Sequence, residues 1–373
     1  MPPINLLIKP ASSNCNLRCK YCFYHSIADN REIKSYGLME IDALETVVKK
    51  ALIYADEMCT FSFQGGEPTL AGIDFFKKFI EFTNKYNSKN VIVNFALQTN
   101  GILINEEWAE FLFRNNFLVG ISLDGPKDIH NTHRIDVKNS GTFNKVMKAI
   151  ALFEKFKVQY NILCVVTALS ARYANKIYSF FKENRFGYIQ FIPCLDVLNE
   201  KKGLYQYSLK PSDLVKFLKL TFDRWYEDFM KGEYVSIRYF DNLVSMILGY
   251  GNEACNMNGR CQCQFVVEAD GSVYPCDFYA FDNWQLGNIL DKNIEDILDC
   301  ETNKAFIGTS LHVSTECREC KWYALCRGGC RRERDNFEEM SLALNYNCLA
   351  YKEFFDYAYG RLLNVGKTIK IKQ

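Results

Sequence analysis

Three cysteines near the start of the chain are spaced to hold one metal cluster. Cys15, Cys19 and Cys22, in the segment CNLRCKYC, form a CxxxCxxC pattern. Three thiolates from one loop can ligate three irons of a four-iron cluster, which leaves the fourth iron open to a small molecule. An open coordination position is typical of a catalytic metal. A zinc site with His25 as the fourth ligand is the alternative.

A second and larger set of cysteines lies toward the C-terminus. Cys261 and Cys276 flank Gly271, and a CxxCx5CxxxC pattern follows, with one further cysteine after seventeen intervening residues. The chain begins without the basic and apolar regions of a secretory signal, so disulfides are not expected. Clustered thiols in such a chain indicate metal binding. The isolated cysteines, Cys59, Cys164, Cys194 and Cys300, are interpreted as buried small residues.

Polar and glycine-rich segments follow several apolar runs. The apolar runs must form the elements that hold these segments in place. These segments are CNLRCKYC, QGGEP, QTNG and SLDGP. The apolar runs read as parallel strands buried on both faces. The predicted strands are Asn5 to Pro10, Thr60 to Gln64, Val91 to Gln98, Leu118 to Leu123, Tyr160 to Thr167 and Tyr188 to Pro193. The loops that follow such strands build the active site of β/α barrels.

Helical periodicity separates these runs. The predicted helices are Ile73 to Tyr86, Asn105 to Asn115, Ala171 to Asn184 and a long connecting helix, Pro211 to Lys231. The sequence therefore predicts an α/β fold, a partial (β/α)6 TIM-like barrel with a small C-terminal cysteine-rich domain. The predicted domains are residues 1–235, the barrel with its connecting helix, and residues 236–373, the cluster domain with a C-terminal helix.

Charge and hydropathy exclude two classes of function. Lys and Arg number 45 against 44 Asp and Glu, a net charge of +1. Nucleic-acid binders and membrane-surface proteins usually carry a basic excess or a basic face, so neither partner is expected. No apolar run approaches the ~20 residues of a membrane-spanning helix. A cytoplasmic, monomeric protein is expected.

The first cysteine motif and the GGEP segment together resemble the radical S-adenosylmethionine (AdoMet) enzymes. Tyr21 stands before the third cysteine, and Gly65, Gly66 and Glu67 stand after the second strand. The resemblance implies that AdoMet chelates the open iron and yields a 5′-deoxyadenosyl radical. Tyr21 and the GGE segment would contact the cofactor. It also implies contacts to AdoMet from Ser122, Arg134 and Leu195, at the ribose, the carboxylate and the adenine.

The C-terminal cysteines resemble the SPASM extension of radical AdoMet peptide-modifying enzymes. That resemblance implies two auxiliary 4Fe-4S clusters, which makes three clusters in all. The implied ligand sets are Cys255, Cys261, Cys276 and Cys330 for one cluster, and Cys317, Cys320, Cys326 and Cys348 for the other. Cys263 competes with Cys261, which is preferred because it keeps the spacing to Gly271. With four thiolates on each cluster, electron transfer is the role that the resemblance implies.

Over nearly its whole length the chain resembles anaerobic sulfatase-maturating enzymes. The similarity is carried by LLIKPASSNCNLRCKYCFY, SFQGGEPTLAG, QTNGILI and DGSVYPCDFY. It implies oxidation of a Cys or Ser to Cα-formylglycine in an unfolded or nascent sulfatase with a Cys/Ser-x-Pro/Ala-x-Arg motif. Radical hydrogen abstraction, loss of a proton to a base and electron transfer to an auxiliary cluster make up that reaction.

The base predicted for this reaction is Asp277, which directly follows the cluster ligand Cys276. A carboxylate within hydrogen-bond reach can accept the proton of the substrate thiol or hydroxyl. Tyr24 and Gln64, which adjoin the two AdoMet motifs, are predicted to contact the substrate peptide. A basic segment, Lys321 and Arg327 to Arg334, is interpreted as a docking surface for a flavodoxin or ferredoxin type electron donor.

Three alternatives stay open on the sequence. The nearest is another SPASM peptide maturase that forms thioether or side-chain crosslinks; such enzymes often carry a peptide-recognition domain before the barrel, and here the first cluster cysteine is already residue 15. A second is a non-enzymatic zinc or iron-sulfur scaffold. The third is a metal site that begins with the HxxH pair, His130 and His133, although no further histidine or carboxylate pattern supports it.

Overall fold

The computed structural model describes residues 3–336 and 341–372. Its strands, in chain order, are β1 Ile4–Ile8, β2 Met58–Phe63, β3 Ile92–Thr99, β4 Leu118–Ser122, β5 Gln159–Val166, β6 Tyr188–Pro193, β7 Ser236–Ile237, β8 Val266–Val267, β9 Ser272–Tyr274, β10 Gly287–Asn288, β11 Asp335–Asn336 and β12 Ser341–Leu342. The six predicted strands are confirmed as β1 to β6.

The α-helices, in chain order, are α1 Phe23–Asp29, α2 Ile41–Tyr54, α3 Ile73–Tyr86, α4 Glu106–Arg114, α5 Lys127–His133, α6 Phe143–Phe156, α7 Ala168–Arg172, α8 Ala174–Glu183, α9 Pro211–Met230, α10 Arg238–Ile247, α11 Ile294–Leu298, α12 Glu301–Ser310, α13 Thr315–Arg318, α14 Tyr323–Cys326, α15 Arg331–Arg334 and α16 Cys348–Lys372. Short 3₁₀ turns lie at Pro68–Ala71, Cys255–Met257, Asp277–Tyr279 and Asp282–Trp284.

Chain contacts divide the molecule into two compact units. The first unit contains the residues up to Ser122, Arg134–Tyr160 and Gln262–Phe306. The second contains Leu123–His133, Asn161–Cys261 and the described residues from Ile307 onward. The domain boundary predicted from the sequence, between residues 235 and 236, stays a prediction.

The first unit is built on a mostly parallel sheet with the strand order β10-β9-β8-β1-β2-β3-β4. Strands β1 to β4 pair in parallel along the chain order, with Ile8 opposite Phe63 at the end of the first pair. Strand β8 comes from the cysteine-rich part of the sequence and pairs in parallel with β1, with Val267 opposite Ile8. The residues that follow β1, β2, β3 and β8 therefore lie along one edge of the sheet.

Phenylalanines from helix α3 and strand β2 form the core beneath that edge. Phe76 and Phe79 pack on Phe63 with ring centroids 4.8 Å apart in both pairs. Each of these rings is fully buried, which contributes roughly 1.5–3 kcal/mol per side chain to stability. The spacing of three residues between the two helix positions puts both rings on the face that covers the sheet.

The second unit contains a parallel set of strands and a pair of long helices. Strand β6 pairs in parallel with β5 on one side and with β7 on the other. Helix α9 packs against α16, and Phe222 meets Phe354 with ring centroids 5.6 Å apart. Together with the first unit, this is the α/β fold with a mostly parallel sheet that the sequence predicts.

Local start and stop signals explain most of the helix ends. Asn105, where the predicted helix begins, caps α4, because its side chain accepts a hydrogen bond from the Trp108 amide at 2.9 Å. The predicted helix from Ala171 to Asn184 is instead two helices, α7 and α8, with Tyr173 at the junction outside helical geometry. Ile177 on α8 is buried, whereas Tyr173 is about half exposed. Among the described helices, none is both long and apolar enough to cross a membrane.

Candidate functional site

The CxxxCxxC loop lies in the first unit between β1 and α1. Cys15, Cys19 and Cys22 are near one another, since the charges of the other two thiolates raise the pKa of Cys15. Burial is the main cause, and it brings the pKa of Cys15 to about 12. Thiols held in this protonated state must lose their protons when they ligate a metal. His25, the possible zinc ligand, is exposed on α1.

The cluster loop is anchored to the segment that carries Arg134. Leu17 forms an antiparallel bridge with Asp136, and the Arg18 amide donates to the Ile135 carbonyl at 2.8 Å. The Arg134 guanidinium lies 5.5 Å from the ring centroid of Tyr21, a distance that permits a cation–π contact. Two residues predicted to contact AdoMet are thus brought together, although they are far apart in sequence.

The GGEP turn follows β2 and requires glycine for steric reasons. Gly65 and Gly66 both have positive φ angles, 101° and 54°. A Cβ atom at Gly66 would collide with the Asn14 carbonyl oxygen of the cluster loop and lie 3.0 Å from the Ser12 carbonyl oxygen. The glycines therefore allow the turn to lie directly on the loop that holds Cys15.

We expect Gly66→Ala to lower the free energy of unfolding by about 3 kcal/mol, because it combines an unfavourable φ with a backbone collision. Thermal unfolding of the cluster-loaded protein measures this loss. Gly37→Ala is the matched control, since Gly37 also has a positive φ of 77° but an added Cβ there would have no neighbouring atom within 4 Å; about 1 kcal/mol is expected for this variant. Equal losses in the two variants would contradict the close packing of the turn on the loop.

Glu67 is fully buried and receives four hydrogen bonds from the chain. Its Oε1 accepts from the Thr69 amide and hydroxyl and from the Thr99 hydroxyl, at 2.7 to 3.1 Å. Its Oε2 accepts from the Asn100 amide at 2.7 Å. Burial raises the pKa of Glu67, and these donors oppose the shift. The carboxylate therefore ties the GGEP turn to the QTNG segment at the end of β3.

Asp277 lies in a buried polar pocket with the two residues predicted to bind substrate. Its Oδ2 accepts a hydrogen bond from the Tyr24 hydroxyl at 2.6 Å and from Gln64 Nε2 at 3.0 Å. Gln64 Nε2 also donates to the Tyr24 oxygen at 2.8 Å. The other oxygen, Oδ1, is buried and has no hydrogen-bond partner. One carboxylate oxygen is thus held by the chain while the second is left for another group.

Burial is the largest influence on the pKa of Asp277 and raises it. The Lys9 ammonium and the hydrogen bond from Tyr24 oppose that shift. Asp277 also contributes to the raised pKa of Cys22, whereas Arg134 lowers it. The carboxylate, the arginine and the third cysteine of the loop are therefore neighbours within the first unit.

Two further residues predicted to contact AdoMet, and the HxxH pair, lie outside the hydrogen-bonded group of Asp277. Ser122 is buried at the end of β4. Leu195, in the second unit, follows β6 and lines a cavity of about 300 Å³. His130 is fully buried on α5 and accepts a hydrogen bond from the Asp124 amide at 3.3 Å. Among the described residues, no three His, Cys, Asp or Glu side chains are gathered as a site for a single metal ion.

In the second unit, the predicted auxiliary cluster ligands fall into two groups. Cys317, Cys320, Cys326 and Cys348 line one cavity, although they come from three separate helices and the segment between them. Cys255 and Cys261 both contribute to the raised pKa of Cys330, after burial. These three thiols therefore lie together in the second unit.

Cys276 and Cys263 both belong to the first unit. Cys276 directly precedes Asp277, and its place in the ligand set with Cys255, Cys261 and Cys330 stays a prediction. Burial raises the pKa of Cys263 to about 11, with a smaller contribution from Cys300. The neighbour of Cys263 is thus an isolated cysteine, which favours Cys261 as the ligand.

Three arginines of the predicted basic docking segment are buried, whereas Lys321 is exposed. Arg331, Arg332 and Arg334 are all less than a tenth exposed. Arg332 donates to the Asp196 carbonyl at 3.0 Å, and Arg334 donates to the carbonyls of Ser310 and His312. Arg331 pairs instead with the Asp335 carboxylate. These three buried guanidinium groups are therefore not available to an electron-donor protein, and the docking role of the exposed Lys321 stays a prediction.

Sequence reasoning missed an ion-pair group beside Asp277. Lys9 Nζ lies 2.8 Å from Glu268 Oε1, and Arg31 Nη1 lies 2.6 Å from the same oxygen. All three side chains are buried. The sequence does offer one signal for this group: Lys9 stands in an otherwise apolar segment, LLIKP, where a buried charge would need a partner. Thr99 and Asn100, the partners of Glu67, stand out in the sequence only as part of the QTNG segment.

The chain's own residues fit AdoMet and iron-sulfur clusters. Three thiols converge on one loop, and a glycine turn that no side chain could occupy lies against that loop. Four further thiols surround a single cavity, in keeping with the thiolate coordination of a cubane cluster. The unpartnered Asp277 oxygen provides an acceptor beside the loop.

Two protein families match parts of the chain. The radical SAM superfamily matches residues 10–169, the part that contains CxxxCxxC and GGEP. An iron-sulfur cluster-binding domain, SPASM, matches residues 255–321. The expected AdoMet and iron-sulfur cofactors agree with both matches.

Full-length similarity extends to named enzymes. The cysteine-type anaerobic sulfatase-maturating enzyme of Clostridium perfringens is 58% identical over 99% of this chain and 100% of its own. The enzyme of the same name from Clostridium novyi is 50% identical over the full length of both chains. A solved structure described as "Native anSMEcpe with bound AdoMet and Kp18Cys peptide" superposes with a TM-score of 0.95, at 56% identity, over 98% of this chain and 100% of the other.

Proposed function

The chain belongs to the anaerobic sulfatase-maturating enzymes of the radical SAM superfamily, and we propose that it is a cysteine-type member. It is an oxidoreductase that converts a Cys or Ser of a sulfatase motif into Cα-formylglycine. The full-length identity to two enzymes that carry the cysteine-type name is the observation that supports cysteine as the preferred residue.

AdoMet bound at the first cluster would supply the radical that removes one hydrogen atom from the substrate Cβ, and the auxiliary clusters would supply an acceptor for the remaining electron. Asp277 takes the proton of the substrate thiol. Its free Oδ1 is the acceptor for that proton, while Tyr24 and Gln64 hold Oδ2 and so fix the plane of the carboxylate. The product for cysteine is a thioaldehyde, which water hydrolyses to the aldehyde with release of hydrogen sulfide.

Burial of Asp277 supports its role as the base. A carboxylate that is only 4% exposed is shielded from bulk water, so a substrate thiol that enters the pocket is the proton donor at hand. Tyr24 and Gln64 both donate to Asp277 Oδ2, and we propose that both also contact the substrate peptide. The residues proposed to bind AdoMet are Tyr21, Gly65, Gly66, Glu67, Ser122, Arg134 and Leu195.

We further propose three 4Fe-4S clusters. Cys15, Cys19 and Cys22 hold the catalytic cluster. The auxiliary ligand sets are those assigned from the sequence, and the shared cavity of Cys317, Cys320, Cys326 and Cys348 supports the second of them. With four thiolates each, the auxiliary clusters have no open iron and serve as electron acceptors.

The proposed partners follow from this chemistry. The substrate is an unfolded or nascent sulfatase segment, because the reactive Cys must reach the buried Asp277. A flavodoxin or ferredoxin type protein supplies electrons, although the buried arginines described above no longer mark its docking surface. The protein is proposed to act as a cytoplasmic monomer.

The decisive experiment uses the protein reconstituted with iron and sulfide without oxygen. It is incubated with AdoMet, a reductant and a Cys-x-Pro-x-Arg peptide or its serine analogue, and peptide mass and 5′-deoxyadenosine are recorded. Aldehyde formation on the Cys peptide, faster than on the Ser peptide, is expected. Faster reaction of the Ser peptide would contradict the cysteine-type assignment. Accumulation of 5′-deoxyadenosine with both peptides unchanged would favour a maturase that forms thioethers or crosslinks.

A further inference from the structure

Lys9 is a charged side chain enclosed almost completely by the first unit. It is 1% exposed, and its ammonium is paired with Glu268, which is fully buried. Arg31 binds the same Glu268 oxygen. The three residues come from distant parts of the sequence: Lys9 follows β1, Arg31 follows α1, and Glu268 follows β8. We refer to them as the Lys9 group.

Stability alone does not account for the Lys9 group. Taking charges out of water costs several kcal/mol per ion, and replacing a buried ion pair by apolar residues is often neutral or stabilising. Two polar atoms of the group, Arg31 Nε and Glu268 Oε2, are buried without a hydrogen-bond partner. The Lys9 group thus keeps buried charges at a position where apolar side chains would be expected to give equal or greater stability.

The contacts of Lys9 point toward the pocket of Asp277. Its ammonium lies 5.1 Å from the ring centroid of Tyr24, within the range of a cation–π contact. Tyr24 in turn donates its hydroxyl proton to Asp277 Oδ2 at 2.6 Å. The methylenes of Lys9 occupy the space beside Gly65, where an added Cβ would lie 2.5 Å from Lys9 Cε. Lys9 therefore touches both the GGEP turn and the tyrosine that holds Asp277.

Strand pairing explains how the group reaches that position. Strand β8 pairs in parallel with β1, and Val267 lies opposite Ile8. The next residues, Glu268 and Lys9, are thereby set side by side, and their ion pair continues the register of the two strands. The strand after β8 leads to Cys276 and Asp277, so the ion pair connects the segment of the base to the strand that precedes the cluster loop.

We infer that Lys9 is a positioning residue for the oxidation: through Tyr24 and Gly65 it holds the Asp277 carboxylate so that Oδ1 faces the substrate. Glu268 and Arg31 keep the ammonium in place. Lys9 itself transfers no proton and binds no cluster. The inference rests on the proposed function, because it assumes that Asp277 is the base of formylglycine formation. A small displacement of a reacting group can cost about 100-fold in rate.

The first test is Lys9→Met, which keeps the methylenes and removes the ammonium. We expect formylglycine formation to fall by up to about 100-fold while 5′-deoxyadenosine production continues, so that the ratio of 5′-deoxyadenosine to aldehyde rises. Lys182→Met is the matched control, since Lys182 pairs with the buried Asp228 in the second unit. That variant is expected to keep the wild-type ratio. An unchanged ratio in Lys9→Met, with an active wild type, would overturn the inference, whereas absence of aldehyde in the wild type would overturn the proposed function.

A double-mutant cycle tests whether Lys9 acts through Tyr24. Tyr24→Phe removes the hydroxyl that binds Asp277 and keeps the ring. If Lys9 positions that hydroxyl, Lys9→Met combined with Tyr24→Phe reduces aldehyde formation no further than Tyr24→Phe alone. Independent, multiplying losses would contradict the inference.

A second variant, Glu268→Gln, serves if Lys9→Met fails to fold. The amide oxygen of the substituted side chain would still accept a hydrogen bond from Lys9 but would hold the ammonium less firmly. A raised ratio of 5′-deoxyadenosine to aldehyde supports the inference, and a wild-type ratio refutes it.

Discussion

An Asp277→Asn variant is expected to form about 10²-fold to 10⁴-fold less formylglycine than the wild type, the usual contribution of a general base. It is expected to bind and cleave AdoMet as the wild type does. The reason is that asparagine keeps the shape of the side chain and can still accept the hydrogen bonds of Tyr24 and Gln64 through its amide oxygen. The position of Oδ1 then holds an amide nitrogen, which accepts no proton.

The measurement is a time course of 5′-deoxyadenosine and of peptide mass in the same reaction. Asp270→Asn is the matched control, since Asp270 lies in the turn between β8 and β9 and its carboxylate accepts hydrogen bonds from the amide and hydroxyl of Ser272. That variant is expected to form aldehyde at the wild-type rate. Full activity of Asp277→Asn would refute the assignment of the base, because an amide cannot accept the proton of the substrate thiol. Glu268 Oε2 is the other buried carboxylate oxygen without a hydrogen-bond partner among the described residues.

Replacing Cys19 by alanine is expected to abolish AdoMet cleavage. Only three thiolates hold the catalytic cluster, so the loss of one leaves two ligands and a cluster that no longer forms. The iron content is expected to fall by about four atoms per chain, one cubane cluster, while both auxiliary clusters remain. Iron analysis and the formation of 5′-deoxyadenosine measure the two effects.

Cys59→Ala controls for the loss of a cysteine as such. Cys59 is fully buried on β2, and burial alone accounts for the raised pKa of its thiol. This variant is expected to keep all the iron and the wild-type rate of AdoMet cleavage. AdoMet cleavage by Cys19→Ala at the wild-type rate would show that Cys19 is not a ligand of the catalytic cluster.

Much of the chemistry is predictable from the sequence because it depends on short spacings. The ligands of the catalytic cluster occupy one loop, and GGEP directly follows one strand, so neighbours in sequence are neighbours in space. Buried parallel strands are continuous apolar runs, which makes β1 to β6 recognisable. Asp277 is predicted as the base from its position beside Cys276 and from the resemblance to the enzyme family.

The contacts that make Asp277 a usable base are not predictable in this way. Tyr24 and Asp277 are 253 positions apart, and Gln64 and Asp277 are 213 positions apart. No local pattern states that β8 pairs with β1, since β8 has only two residues and lacks a periodicity of its own. The ion pair of Lys9 with Glu268 depends on that pairing, as does the approach of Asp277 to Tyr24.

Burial also removes three arginines from the docking surface that the sequence predicts. The arginines between Arg327 and Arg334 look like a solvated basic patch, because a run of charges carries no information about which side chains the fold encloses. In the second unit Arg332 and Arg334 bind carbonyl oxygens below the surface. The sequence by itself determined the strands and the kinds of cofactor, and it predicted the base, because all of these depend on residue type and short spacing. Only the tertiary structure decided which side chains hold the base, because strand register and burial are set by contacts between segments that are distant in sequence.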